Sequence, residues 1–213
     1  MYIPPAFNED HLDTQHAFIR AHPLGLLVSV GPEGPLATAL PLLLTTTDDA
    51  PQGMLSGHLS RANAQWQGID GQDVLVVFQG VEAYITPSWY PSKVEHGKVV
   101  PTWNYTMVQA RGALRLIEDR AWLKAHVTML TRQQEGARAE PWDVHDAPED
   151  YIESQLKGIV GIEVRIRQIE GKWKVSQNRP VPDRVGVVEG LTADDGQGNA
   201  AMVKLVREYG GLS

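Results

Sequence analysis

"DVLVVFQGVEAYITPSWYPSKVEHGKVVPTWNY", residues 73–105, changes character halfway. Residues 73–86 are β-branched and aromatic, as strands that pack on a core are. Gly80 divides them, giving a fourth and a fifth strand with a bend between. Residues 87–105 hold Trp89, Tyr90, Trp103 and Tyr105 among Pro87, Pro91 and Pro101. Proline donates nothing to a ladder, so no regular central strand fits, and "KVEHGK" inside the segment has to be wet. Four large rings are nonetheless too many for a solvated loop. An amphipathic aromatic loop of this kind binds something, either a ligand or a second copy of the chain.

Upstream, residues 8–21 read as a helix with Asn8 as N-cap and Leu12 and Ile19 on one face. His16 between them reads as packed. "HPLGLLVSV" and "PLATALPLLL" are two strands joined at "GPEG", a hairpin. "TTTDDAPQG" reads as a loop, "GMLSGHL" as the third strand, and "SRANAQWQGI" as a short helix capped by Ser60. Downstream, "TMVQARGALRLIED" is a sixth strand with Gly112 at a bulge or kink. Asp119 precedes a helix carrying Leu123, Val127 and Leu130. Asp146 and Glu149 have capping-box spacing ahead of a second helix with Ile152 and Leu156. Ile162, Val164 and Ile166 alternate with charged residues as a half-buried strand, turned at Glu170-Gly171 into "KWKVSQ". A last helix runs from about Asn199 to Tyr209 and stops at Gly210-Gly211.

Short strands at close spacing with helices mostly late argue for an antiparallel barrel with flanking helices, mainly β with α, rather than a βαβ fold. We expect one domain over 1–213, with residues from about 179 forming an extended arm and then the final helix. The chain has no cysteine, which removes disulfides, thiolate metal sites and cysteine nucleophiles. Its formal charge of −7 runs against phosphate-driven nucleic-acid binding. Arg165, Arg167, Lys172 and Lys174 form the densest basic patch and read as one solvated strand face. No apolar run is long enough to span a bilayer, and the start lacks a basic, then apolar, leader, so a cytoplasmic location is expected.

GxSxG, HExxH, Walker A and a strand-borne GxGxxG are all missing, and no histidine spacing suits a metal. "SGHLSRAN" is more promising. Ser60, Arg61 and Asn63 bring a hydroxyl, a guanidinium and first-turn amides together, a combination suited to a phosphate. The same residues also suit an ordinary helix cap. His58 faces that site or bonds a loop.

Taken as a set, "MYIPPAF", "SGHLSRANAQW", "VFQGVEAYITPSWYPSK", "VVPTWNY", "IVGIE" and "GKWKVSQNRP" resemble the signatures of the PaiB-type FMN-binding proteins, in the family's order and over roughly residues 1–190. The resemblance implies a homodimeric split β-barrel with FMN in a groove between subunits, described as a negative transcriptional regulator. It further implies that Thr38, Ala39 and Leu40 run along the isoalloxazine edge and that Ser60, Arg61 and Asn63 hold the phosphate, with His58 nearby. Pro87, Ser88 and Trp89 would line the groove, with Lys93 contributing charge. Thr102, Trp103 and Tyr105 would close it from the partner subunit, and Lys174 and Gln177 would lie on the last barrel strand. The chain departs from the family at Ala39, Gln109 and Arg111, where relatives show histidines.

Three functions stay open at this level. The first is an FMN-binding dimeric regulator, acting on DNA or indirectly. The second is a flavin-dependent oxidoreductase with a nicotinamide donor, His58 and Tyr105 being the available proton donors. The third is a dimeric scaffold whose aromatics serve only an interface.

Overall fold

The computed structural model describes residues 1–196 and 198–212. Eight strands occur among them: β1 (Asn8–Glu9), β2 (Leu24–Gly31), β3 (Gly34–Pro41), β4 (Leu43–Thr47), β5 (Ala50–Ser60), β6 (Asp73–Ile85), β7 (Thr102–Ile117) and β8 (Ile159–Lys174). The helices are α1 (Leu12–Ala21), α2 (Ser92–His96), α3 (Arg120–Glu135), α4 (Glu149–Lys157), α5 (Val181–Ala193) and α6 (Asn199–Gly210). The sheet order is β3-β2-β6-β7-β8-β5-β4, with β1 added to β8. The fold is the mainly antiparallel sheet with flanking helices expected from the sequence. No described helix is long and apolar enough to cross a membrane.

The chain divides into two compact units. The first holds Met1–Gln15, Gln79–Val108 and the chain from Glu170; the second holds His16–Phe78 and Gln109–Ile169. In the second unit β2 and β3 pair from Leu24↔Pro41 to Gly31↔Gly34, and Gly34 at φ +125° closes the hairpin. Leu27, Leu55, Val76, Phe78, Leu114, Val160 and Ile162 fill the core, each worth roughly 1.5–3 kcal/mol of transfer free energy. Gly112 explains itself there. A Cβ at that position would lie 1.9 Å from the Arg165 carbonyl oxygen, so glycine admits a close backbone approach while β7 runs on uninterrupted.

In the first unit Ile85, Tyr90, Val175, Val187, Val188, Leu191, Met202 and Val206 form one buried cluster with α5 and α6. The C-terminal segment therefore corrects the expected extended arm: residues 181–193 are helix. Pro182 sits in the first turn, where its missing N–H costs nothing, and Val187, Val188 and Leu191 give the helix an apolar side to bury. The final helix ends as expected, on Gly211 at φ +61°.

Other differences have local causes. Residues 73–85 form one strand, not two, but the buried side chains change from even positions (Val74, Val76, Phe78) to odd ones (Ala83, Ile85) across Gly80. Residues 35–44 divide at Leu42 into β3 and β4. The expected loop 45–53 is the β4–β5 hairpin, paired Thr47↔Ala50, whose exposed threonines make a strand look like a loop. Asn8 lies in β1, not at a helix cap. The capping box joins Asp143 and Asp146 around a 3₁₀ turn, one step before α4. At Gly171 the chain stays in β8; a Cβ there would meet the Glu9 carbonyl at 2.7 Å. The basic stripe is also divided: Arg165 and Arg167 are exposed, whereas Lys172 is buried beneath Tyr2 and Tyr105. Asp119 caps α3 as read, and His16 is packed, bonding the Gln52 carbonyl at 2.9 Å.

Candidate functional site

The candidates fall into two groups, one in each unit. In the second unit β5 continues to Ser60, and the helix expected after it is a single 3₁₀ turn, Ala64–Trp66. Its cap is Asn63, whose Oδ1 accepts from the Gln65 amide at 2.9 Å, so Ser60 is not a helix cap. Ser60 Oγ instead accepts from Ala62 N at 3.2 Å. The helix-terminus argument for a phosphate thereby lapses, since a three-residue turn has no macrodipole of consequence.

What replaces it is a side-chain network. Asn63 Nδ2 donates to Thr38 Oγ1 at 3.0 Å, and that hydroxyl donates to Gln65 Oε1. Gln65, 4% exposed, donates in turn to Ser29 Oγ at 3.0 Å and the Leu27 carbonyl at 3.2 Å. Gln65 was not among the sequence candidates; its only signal was its place in "SRANAQW". Through it, the turn after β5 is fastened to β2 and β3. Ala39 is exposed on β3 and Leu40 is buried, and β3 ends the sheet order, so its outer backbone groups have no strand partner among the described residues.

Arg61 is fixed through its backbone, its amide donating to Gly158 O at 2.8 Å and its carbonyl accepting from Trp66 Nε1 at 2.9 Å. Its guanidinium lies 5.8 Å from the Trp66 ring centre and donates to Glu118 at 3.0 Å. That ion pair is exposed, with side chains 34% and 64% accessible, so it exchanges at little cost. The Arg61 guanidinium, the Ser60 hydroxyl and the second hydrogen of the Asn63 amide form a donor set at the end of β5 suited to a dianionic oxyanion, the Thr38 hydroxyl being committed to Gln65.

His58, half-buried, points to α3, where its Nδ1 lies 3.2 Å from His126 Nε2. His126 stacks on Trp122 at 5.0 Å and 10°, and Trp122 Nε1 donates to Glu163 at 3.2 Å. Burial, then the neighbouring His58, pushes the His126 pKa down to about 4; burial lowers that of His58 as well. Both rings are neutral near pH 7, one donating to the other.

In the first unit Pro87–Trp89 form another 3₁₀ turn, capped by Thr86, whose Oγ1 accepts from Ser88 N at 3.3 Å. Ser88 is exposed, Trp89 is half-buried against α5, and Lys93 is exposed on α2. Trp103 and Tyr105 are strand residues of β7 rather than part of a loop. Trp103 is 53% exposed, edge-on to Tyr84 at 5.8 Å, and Tyr105 carries the Lys172 ammonium 5.2 Å from its ring centre. Thr102 Oγ1 and the Trp103 carbonyl accept from Lys174, whose pKa is lowered by burial and then by Lys172 and Arg179. Gln177 caps local backbone, accepting from Val175 N at 2.8 Å. Sequence reading also missed Asn104, which is 1% exposed and donates to Ser176 Oγ at 2.9 Å, holding the start of β7. Glu9, Asp10 and His11 cluster as potential metal ligands, but the Glu9 carboxylate already accepts from Tyr209 at 2.9 Å and lies 2.9 Å from the His11 ring.

Residues 1–168 match a family described as "Putative FMN-binding domain". The protein named "Protease synthase and sporulation protein PAI 2" of Bacillus subtilis is 33% identical over 211 aligned residues, covering 98% of this chain and 97% of its own. An uncharacterized protein of Aspergillus fumigatus is 34% identical, covering all of this chain and 98% of its own. Among solved structures, the FAD and heme binding protein of Mycobacterium smegmatis overlays with a TM-score of 0.57 at 13% identity, over 78% of this chain and 73% of that one. The last likeness shows the fold; the first three show descent, and by them the chain belongs to the PaiB-type FMN-binding family of split-barrel proteins.

Proposed function

We propose that two copies of this chain hold FMN, with its phosphate at the end of β5 and its ring edge along β3. The observation that carries this reading is the Thr38–Asn63–Gln65 network. It fixes a hydroxyl, an amide and the turn bearing Ser60 and Arg61 against an unpartnered edge strand. Arg61 and Ser60 fit the phosphoryl oxygens, and Thr38, Ala39 and Leu40 offer backbone groups to the imide edge of the ring. The exposed Leu24, Leu26 and Val30 lie on one side of β2, an apolar face of the kind a second copy covers. From that second copy, Pro87, Ser88, Trp89, Lys93, Thr102, Trp103 and Tyr105 would close over the cofactor.

FMN supplies one- and two-electron redox chemistry when bound. The regulator reading, in the cytoplasm and through protein partners rather than DNA, is preferred to the oxidoreductase because the side chains available as proton donors are engaged. His58 is bonded within the imidazole pair, and Tyr105 lies against Lys172. The charge of −7 likewise argues against a direct DNA contact.

The test is an absorption spectrum of freshly purified protein with light scattering, then Arg61→Ala. A yellow dimer releasing FMN on denaturation is expected, with affinity falling about thirtyfold in the variant, the loss of one charge-assisted hydrogen bond. A colourless monomer that takes up no added FMN sinks the proposal.

A further inference from the structure

Helix α5 and its partner α6 lie outside the segment that defines the family, yet one side of α5 is shaped around the aromatic loop. Gly186 and Gly190 are one helical turn apart and face it together. A Cβ on Gly186 would fall 2.0 Å from the Trp89 carbonyl oxygen, and one on Gly190 would fall 2.2–2.4 Å from three atoms of the Trp89 ring. Neither glycine has a positive φ, so conformation does not require them; the room taken by Trp89 does. One turn before Gly186, Asp183 is 1% exposed and accepts from Ser92, from its amide at 3.1 Å and its hydroxyl at 2.7 Å. Between the two attachments Tyr90 is buried in the cluster of Val187, Val188 and Leu191, with the Arg179 guanidinium 4.6 Å from its ring centre.

Helix propensity alone would disfavour two glycines in the interior of a helix relative to alanine. A buried carboxylate costs more unless it is bonded. Both features make sense if the helix exists to seat residues 89–92.

We infer that α5 is a clamp that fixes the aromatic loop in its FMN-contacting position, with Asp183, Gly186 and Gly190 as positioning residues. The inference rests on the proposed contact between this loop and FMN. The clamp itself can be read without cofactor, because Lys93 and Lys98 are exposed just beyond it and give trypsin its cleavage sites.

The experiment compares full-length Gly190→Ala, Asp183→Ala and, as control, Val206→Ala. The control opens a cavity in the same buried cluster from α6 while leaving Asp183, Gly186 and Gly190 in place. Well below each variant's melting temperature, tryptic cleavage after Lys93 and Lys98 is followed in cofactor-free protein, and FMN affinity is measured by quenching of flavin fluorescence. Cleavage should rise at least tenfold and FMN affinity fall at least fivefold in the first two variants, with both within twofold of wild type in the control. Unchanged cleavage in Gly190→Ala and Asp183→Ala overturns the clamp, as does an equal rise in Val206→Ala. Faster cleavage with unchanged FMN affinity in a wild-type protein that binds FMN overturns the positioning role. If wild type binds no FMN, it is the proposed function that fails, and cleavage still decides whether the clamp exists.

Discussion

Two strands of this molecule end in the same device. After β5 and after β6 the chain makes one 3₁₀ turn, capped by the short polar side chain immediately before it, and each turn finishes on a tryptophan, Trp66 or Trp89. They are held by different physics. The turn at Trp66 is fixed by hydrogen bonds through Gln65 to strands β2 and β3, and Trp66 bonds back to the carbonyl of Arg61. The turn at Trp89 has a side-chain cap bond from Ser88 N to Thr86 Oγ1 and is fixed by shape, the Trp89 ring filling the space that Gly190 leaves open. Bonds fix direction and place donors for a charged group. Packing fixes position and presents an apolar surface. The first arrangement suits a phosphate and the second suits a ring.

The sharpest way to break this contrast is at Gln65. Gln65→Leu keeps the volume but leaves the Leu27 carbonyl, Ser29 and Thr38 without their buried partner, a loss of about 3 kcal/mol. Urea unfolding should show that loss, with FMN affinity falling more than tenfold in molecules still folded. A stability change under 1 kcal/mol would mean that the network is not what fixes the turn.

Acid should separate the two turns next. His58, half-buried on β5 two residues before Ser60, contacts the buried His126, while neither histidine of the first unit, His11 or His96, is buried. The His126 pKa is about 4 in the folded chain against an ordinary 6.5, so below pH 6.5 the unfolded chain binds protons that the folded one refuses. The contribution is whole above 6.5, declines as pH falls toward 4 and then levels off. His58, lowered in the same direction, adds to it. The loss from His126 should be on the order of 3 kcal/mol. Amide exchange at pH 5 should quicken around residues 61–66 more than around 89–92. The reverse order would show that the imidazole pair does not support the turn.

The alternation in β8, the β2–β3 hairpin and the cap at Asp119 were legible because each depends on neighbours in sequence, where periodicity and side-chain chemistry act directly. Ser60, Arg61 and Asn63 were legible as a set, but for a reason the structure replaces: Asn63 is the cap, and Gln65, overlooked as an ordinary polar residue, is the hub. Residues 181–193 were misread because Pro180, Pro182, Gly186 and Gly190 look like loop composition. Those glycines answer to Trp89, which lies roughly a hundred positions earlier, and no local pattern carries such a constraint. The paired threonines of β4 misled for the opposite reason, because an exposed hairpin needs no apolar face to announce it.

The smallest effect tests the bonded turn most delicately. Glu118 accepts from Arg61 in an exposed pair, which contributes under about 0.5 kcal/mol to stability. Glu118→Gln should therefore leave urea unfolding unchanged within that margin. For a phosphate arriving at Arg61, however, the carboxylate is a competing anion. Its removal should tighten FMN two- to threefold at low salt, and the gain should shrink as ionic strength rises and screens the repulsion. Weaker binding in the variant would reverse the assignment, making Glu118 the group that aims the guanidinium. The β5 turn would then resemble its counterpart at Trp89, with the residue that meets the ligand depending on a second one to hold it in place.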